Sequence, residues 1–160
     1  MSIVLSTTNH FMSRLIRKIS RSTVSHASIC IEVEGVPFIV EATTGGVRLI
    51  PRKTWERHAV VIREYDYLFS KDAIRFVLEE VHKKYDYLGL VGFVPVVLAW
   101  RWFRKKIKNP LSSSTAVVCS EFVARALNFG NKDFDLDPEN TTPSMLLRIC
   151  EKHNMKRKDI

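Results

Sequence analysis

Two periodicities divide this chain. Phe11, Met12, Leu15, Ile16 and Ile19 recur at helical spacing with Arg14, Arg17 and Lys18 on the other side, which predicts an amphipathic helix just after a short strand at Ile3-Val4-Leu5. From Ser25 the period changes to two. Ala27, Ile29, Ile31 and Val33 alternate with His26, Ser28, Cys30 and Glu32, as expected of a strand with one polar face. Glu34-Gly35 reads as a tight turn, and Val36 to Ala42 returns as a second strand in which Pro37 sits where no ladder donor is needed. A two-residue turn pairs Val33 with Val36, hence Ser28 with Glu41 and His26 with Thr43. Side chains alternate, so His26 and Glu41 share a face on the diagonal, about 7–8 Å apart at the backbone and within reach of an imidazole–carboxylate hydrogen bond.

Gly45-Gly46 predicts the next turn, Val47 to Ile50 a third strand stopped by Pro51, and Ala59 to Arg63 a fourth, most simply laid out as an antiparallel meander. Ser70 is a good cap for a helix with apolar positions Ile74, Val77, Leu78 and Val81, running to about Lys84. A strongly apolar stretch from Leu88 to Phe103 follows, interrupted by Gly89, Gly92 and Pro95 and ended by Arg104-Lys105-Lys106. It falls short of the ~20 uninterrupted apolar residues of a membrane span. It reads either as a buried hairpin of helices or as an interfacial element with Trp100 and Trp102 at headgroup level and Arg104, Lys105 and Lys106 on anionic lipid. After the serine-rich loop Leu111 to Thr115, helical spacing returns at Cys119, Phe122, Val123, Ala126 and Leu127, so a thiol opens a helix whose apolar face packs inward. That helix stops near Gly130. A polar loop leads to Thr142-Pro143, a cap and first-turn pair for a last helix through Met145, Leu146, Ile149 and Cys150, with a frayed tail from Lys152.

A chain of 160 residues with 46% hydrophobic content can bury one proper core. The expectation is a single α+β domain over residues 1–160, an antiparallel sheet of about 4–6 strands packed against helices, with an apolar insertion near 88–108. The three cysteines, Cys30, Cys119 and Cys150, lack the spacing of a disulfide framework or a zinc site, which predicts reduced thiols. Met1 to Leu5 runs straight into a polar stretch that is no secretory signal, so a cytoplasmic location is expected, with peripheral membrane association open. A net charge of +8 favours anionic partners, but the basic clusters carry no nucleic-acid motif. There is no glycine-rich phosphate loop or metal-ligand spacing, and no cofactor is expected.

The candidate chemistry is that of a thiol. At a helix start, unpaired N–H groups and the positive end of the macrodipole favour a thiolate, and the same N–H groups can serve as an oxyanion hole. A lone cysteine on an apolar face is otherwise core filler, a histidine on a half-polar strand is otherwise structural, and Glu41 can pair with Arg48 instead. Together, Cys119, His26 and Glu41 are the parts of an acyl-transfer site: nucleophile, proton carrier and orienting acid. Cys30 and Cys150 read as packing.

The ordered set Ile3-Val4-Leu5, Ser25-His26-Ala27-Ser28-Ile29, Val40-Glu41-Ala42 with Gly46-Val47, Trp55, Tyr85-Asp86-Tyr87-Leu88-Gly89, Cys119-Ser120-Glu121-Phe122-Val123 and Thr142-Pro143 resembles the circularly permuted NlpC-type papain-like cysteine peptidase and amidase superfamily, in its YiiX-like group. The resemblance implies an antiparallel sheet on helices with the cysteine following the histidine strand. It implies Cys119 as nucleophile, His26 as base and Glu41 as the orienting acid, with Tyr85 near the thiol, Ser28 as the small residue beside the site and Ser120 in support. Met1-Ser2 stands where members carry Gly-Asp, and Ala27-Ser28 where Val-Gly is common. The implied activity is hydrolysis of a peptide, isopeptide or other amide bond. Two other readings stay open: a membrane-associated acyltransferase or phospholipase of the lecithin-retinol acyltransferase type, and a non-catalytic binding module.

Overall fold

A computed structural model describes residues 1–43, 46–81, 119–130, 134 and 136–159. These form an α+β fold whose sheet has five antiparallel strands: β1 Ser2–Thr7, β2 His26–Val33, β3 Val36–Thr43, β4 Gly46–Pro51 and β5 Val60–Asp66. The helices are α1 Phe11–Ser20, α2 Arg52–Trp55, α3 Lys71–Glu79, α4 Cys119–Gly130 and α5 Pro143–Lys152. The strand order is β4-β3-β2-β1-β5. The chain therefore departs from a simple meander at its last strand, because β5 crosses back to pair with β1 rather than β4. Pro51 and the short α2 turn the chain over one face of the sheet and deliver it to the far edge.

The β2–β3 hairpin has the register that its alternation predicts, with Val33 opposite Val36 and Ile29 opposite Val40. Its turn residues Glu34 and Gly35 both lie at positive φ, 50° and 77°, the combination that matches the twist of a two-residue hairpin. Glutamate is a poor occupant of the left-handed region. Glu34→Asn is expected to stabilise the fold by about 0.5–1 kcal/mol, read as a rise in the thermal unfolding midpoint.

The two faces of the sheet bury different things. On one, Ile3, Leu5, Ala27, Ile29, Val40 and Ala42 pack against α3, α4 and α5 through Ala73, Val77, Phe122, Val123, Leu127 and Leu146, all at most 2% exposed. This is the main core. On the other face, Val4, Cys30 and Ile39 are covered by Trp55 and Ala59. Further along that face the carboxylate of Glu64, 1% exposed, accepts from Ser2 Oγ at 2.6 Å and pairs with Arg52 at 2.8 Å. That pairing fixes α2 against β5 without leaving a buried charge uncompensated.

Three features differ from the periodicity. Helix α3 ends at Glu79 rather than near Lys84, tightening into a last turn in which Val81 N–H donates to Leu78 O at 3.3 Å. Phe11, placed by spacing on the buried side of α1, is 76% exposed; α1 is held instead by Ser13, buried against Thr7 and Ser25. The tail is not frayed. Asp66 N–H donates to Lys156 O at 2.8 Å and Lys158 N–H to Glu64 O at 2.9 Å, so the tail lies along the outer edge of β5 and satisfies groups an edge strand would otherwise present. Among the described residues no helix is long and apolar enough to cross a membrane.

Candidate active site

Helix α4 begins at Cys119 and docks its apolar face, Phe122, Val123, Ala126 and Leu127, onto the sheet. Ser120 anchors the start of the helix: its hydroxyl, 1% exposed with the residue, donates to Thr141 O at 2.6 Å, tying α4 to the segment that caps α5. This anchoring presents the half-buried sulfur to the first residues of β2. The β2–β3 ladder pairs from Ile29 to Val33 and stops there. Beyond it, the Ala27 and Ser120 backbone amides and the His26 side chain lie close to the Cys119 sulfur, where each favours its anion.

Glu41 lies on the diagonal from His26 as the hairpin register requires, and its Oε2 is 2.7 Å from His26 Nε2. With Nε2 committed to the acid, Nδ1 is the ring nitrogen left for the thiol. The carboxylate, 3% exposed, is held from two more sides. Trp55 Nε1 donates to Oε2 at 2.8 Å, and Arg48 donates to Oε1 from Nε at 2.8 Å and from Nη2 at 2.5 Å. Arg48 and His26 were rival partners for Glu41 on the sequence; the carboxylate takes both, one on each oxygen.

The charge states follow from these contacts. Burial opposes ionisation of Glu41, but the hydrogen bond and charge of His26, with the hydrogen bonds of Trp55 and Arg48, hold its carboxyl down to about 2. Burial also opposes ionisation of Cys119; the imidazolium charge and hydrogen bond of His26, then the Ala27 and Ser120 amides, outweigh it and bring the thiol below its ordinary range. His26 moves the other way: burial disfavours the imidazolium, yet the thiolate and Glu41 together raise it. Each shift favours the thiolate–imidazolium form of the pair. The other thiols are the opposite case. Burial raises Cys30 despite Arg52 beside it, and burial pushes Cys150 up to about 12.

Of the residues singled out in the sequence, Cys119, His26, Glu41 and Ser120 come together, Ser120 through its amide. Ser28 lies two residues along β2 from His26, on the same face. It is fully buried and its hydroxyl donates to Val4 O at 3.4 Å, across to β1. Tyr85, Trp100, Trp102, Arg104, Lys105, Lys106 and the 88–108 segment lie outside the described residues. Sequence reasoning gave Trp55 no role, and its signal was there only as a tryptophan downstream of the hairpin. Arg48 was visible as the residue opposite Glu41 once the β3–β4 register is known. The Ala27 amide had no sequence signal, because any residue supplies a backbone N–H. Ser6, opposite His26 on β1, contributes the one buried side-chain polar atom without a hydrogen-bond partner among the described residues.

No protein-family model matches the chain, and no curated protein matches it. Among solved structures, the crystal structure of metalloprotein YiiX from Escherichia coli O157:H7 is similar over 94% of this chain and 79% of that one, with 20% sequence identity and a TM-score of 0.57. The chain has a YiiX-like fold.

Proposed function

We propose that this protein is a cysteine hydrolase of the permuted papain-like kind, acting on a peptide, isopeptide or other amide bond. The observation that carries the reading is a half-buried thiol at a helix start beside an imidazole whose Nε2 is 2.7 Å from a buried carboxylate. Cys119 Sγ attacks the carbonyl carbon, forming the C–S bond as the carbonyl electron pair moves onto oxygen. The start of α4 favours that oxyanion, as it favours the resting thiolate. The intermediate collapses by expelling the amine, which takes its proton from the His26 imidazolium. Water then adds to the thioester, His26 removes the water's proton, and the thiolate leaves, regenerating the ion pair. Glu41 fixes the ring orientation throughout.

YiiX is described as a metalloprotein, but the donors here do not suit a cation. Both oxygens of Glu41 already accept hydrogen bonds, and the Arg48 guanidinium beside it opposes a second positive charge. No group of three or more His, Cys, Asp or Glu side chains among the described residues is placed to hold a metal.

The test is capture of the thioester. Wild type and Cys119→Ala are offered panels of activated amides, isopeptides and phospholipid esters, and intact mass is read after acid quench. An acyl adduct on wild type, mapped to Cys119 and absent from Cys119→Ala, is expected from the amides. Adducts from phospholipid esters alone would replace the amidase with a lipid acyltransferase, and no adduct from any panel would overturn the enzyme reading.

A further inference from the structure

We propose that Arg48 is a positioning residue that sets the proton affinity of the His26 imidazole by acting through Glu41. The inference deepens the reading of Cys119 and His26 as the working pair. A carboxylate has about four lone-pair positions, and each of these is taken. Oε1 accepts both donors of Arg48, while Oε2 accepts Trp55 at 2.8 Å and His26 at 2.7 Å. Two consequences follow from that division. The carboxyl group cannot swing, because three fixed donors hold it whether or not His26 is protonated, so the imidazole meets an acceptor already in place. Its charge is also shared, because the same anion faces a second cation.

The second consequence decides the chemistry. A buried carboxylate acting alone on an imidazolium makes a strong ion pair, and an imidazolium held too firmly is a poor acid for a departing amine. Arg48 competes for that charge from the opposite oxygen and so loosens the proton on His26. Among the described residues, the groups facing the Glu41–His26 pair are Arg48 from β4, Trp55 from α2 and Cys119 from α4. Arg52 and Glu64, further along the same face, are paired with each other. The Arg48 side chain is 54% exposed, so water can take its place at Oε1 when it is removed, and truncating it costs little packing.

The test titrates the His26 ring by proton NMR in a Cys119→Ala background, where the coupled thiolate is gone. The His26 signal among the five histidines is assigned by its loss in His26→Asn. Arg48→Met is expected to raise the pH of imidazolium deprotonation by about half a unit to one unit, the lower end of what a neighbouring charge does because Arg48 is part-exposed. Arg48→Lys, which keeps the charge and loses the fork, is expected to shift it by less than half as much. Arg75→Met, an exposed cation on α3, is the control and is expected to leave it unmoved. If Arg48→Met fails to fold, Arg48→Gln takes its place. An unchanged or lowered value in the Met or Gln variant, or equal shifts in the Lys and Met variants, would overturn the proposal. Since the readout is the imidazole and not turnover, it fails or succeeds independently of whether Cys119 carries an acyl group.

Discussion

At pH 6, Cys119 is expected to react with iodoacetamide at least about tenfold faster than Cys30 or Cys150 in the native protein, with its site identified by peptide mass. The contrast is built into one chain. Alkylation follows the thiolate fraction, and an ordinary thiol with a pKa near 8.5 is less than about 1% ionised at that pH. Cys119 lies below its ordinary range because His26 and the Ala27 and Ser120 amides favour the anion, whereas burial, with a neighbouring carboxylate in each case, raises Cys30 and pushes Cys150 to about 12. At pH 7 a thiol at that value is ionised to only about one part in 10⁵. The direction of the His26 shift adds an upper limit: the imidazolium that favours the thiolate persists at neutral pH and is lost only well into the alkaline range. His26→Ala should therefore move the rate profile of Cys119 toward high pH, since desolvation then acts on the thiol with the main opposing charge removed. Equal rates for the three cysteines at pH 6, or an unmoved profile in His26→Ala, would show that Cys119 is packing and not a nucleophile.

The second large effect is on stability. Glu41→Ala removes the acceptor of four hydrogen bonds and leaves the Trp55 indole, the His26 ring and the Arg48 guanidinium facing an empty position. Breaking a buried pair from one side costs about 3–5 kcal/mol, so the variant should unfold at markedly lower urea. Glu41→Gln keeps an acceptor and should lose less. The loss depends on pH in a defined direction. The folded carboxyl is held at about 2, below the ~4.3 of an unfolded glutamate, so its contribution is complete above pH ~4.3 and disappears as pH falls through about 2. Urea unfolding of wild type and Glu41→Gln should accordingly show a smaller gap at pH 3 than at pH 6. A gap that widens on acidification would mean that Glu41 is not the anion in this cluster.

What could be read from the residues, and what could not, follows from the range of each interaction. The hairpin and its diagonal His26–Glu41 contact were legible because alternation and a two-residue turn fix register locally. The same local signals placed α4, with Cys119 at its start, and the Thr142 cap, whose side chain accepts from Met145 N–H at 3.2 Å. Sheet order was not legible. Nothing in Val60 to Asp66 says that its partner is β1 instead of β4, since either pairing buries the same side chains, and the choice is made by how α2 crosses the sheet. The paired tail escaped for a similar reason: Lys156 to Lys158 bond through their backbone, which sequence does not display. In the site, the side chains Cys119, His26 and Glu41 were visible and the amides of Ala27 and Ser120 were not. Arg48 was in view, but as a competitor for Glu41, because a sequence gives no account of which oxygen a donor takes.

The order of the parts along the chain has a consequence for biosynthesis. The acid, the imidazole and the strands bearing them occupy the first 66 residues, while the sulfur follows at position 119 on α4. A ribosome therefore delivers the ring and its acid long before the thiol emerges from the exit tunnel. The sulfur meets the imidazole only when α4 docks, so on the proposed reading the nucleophile is the last part of the site to be completed.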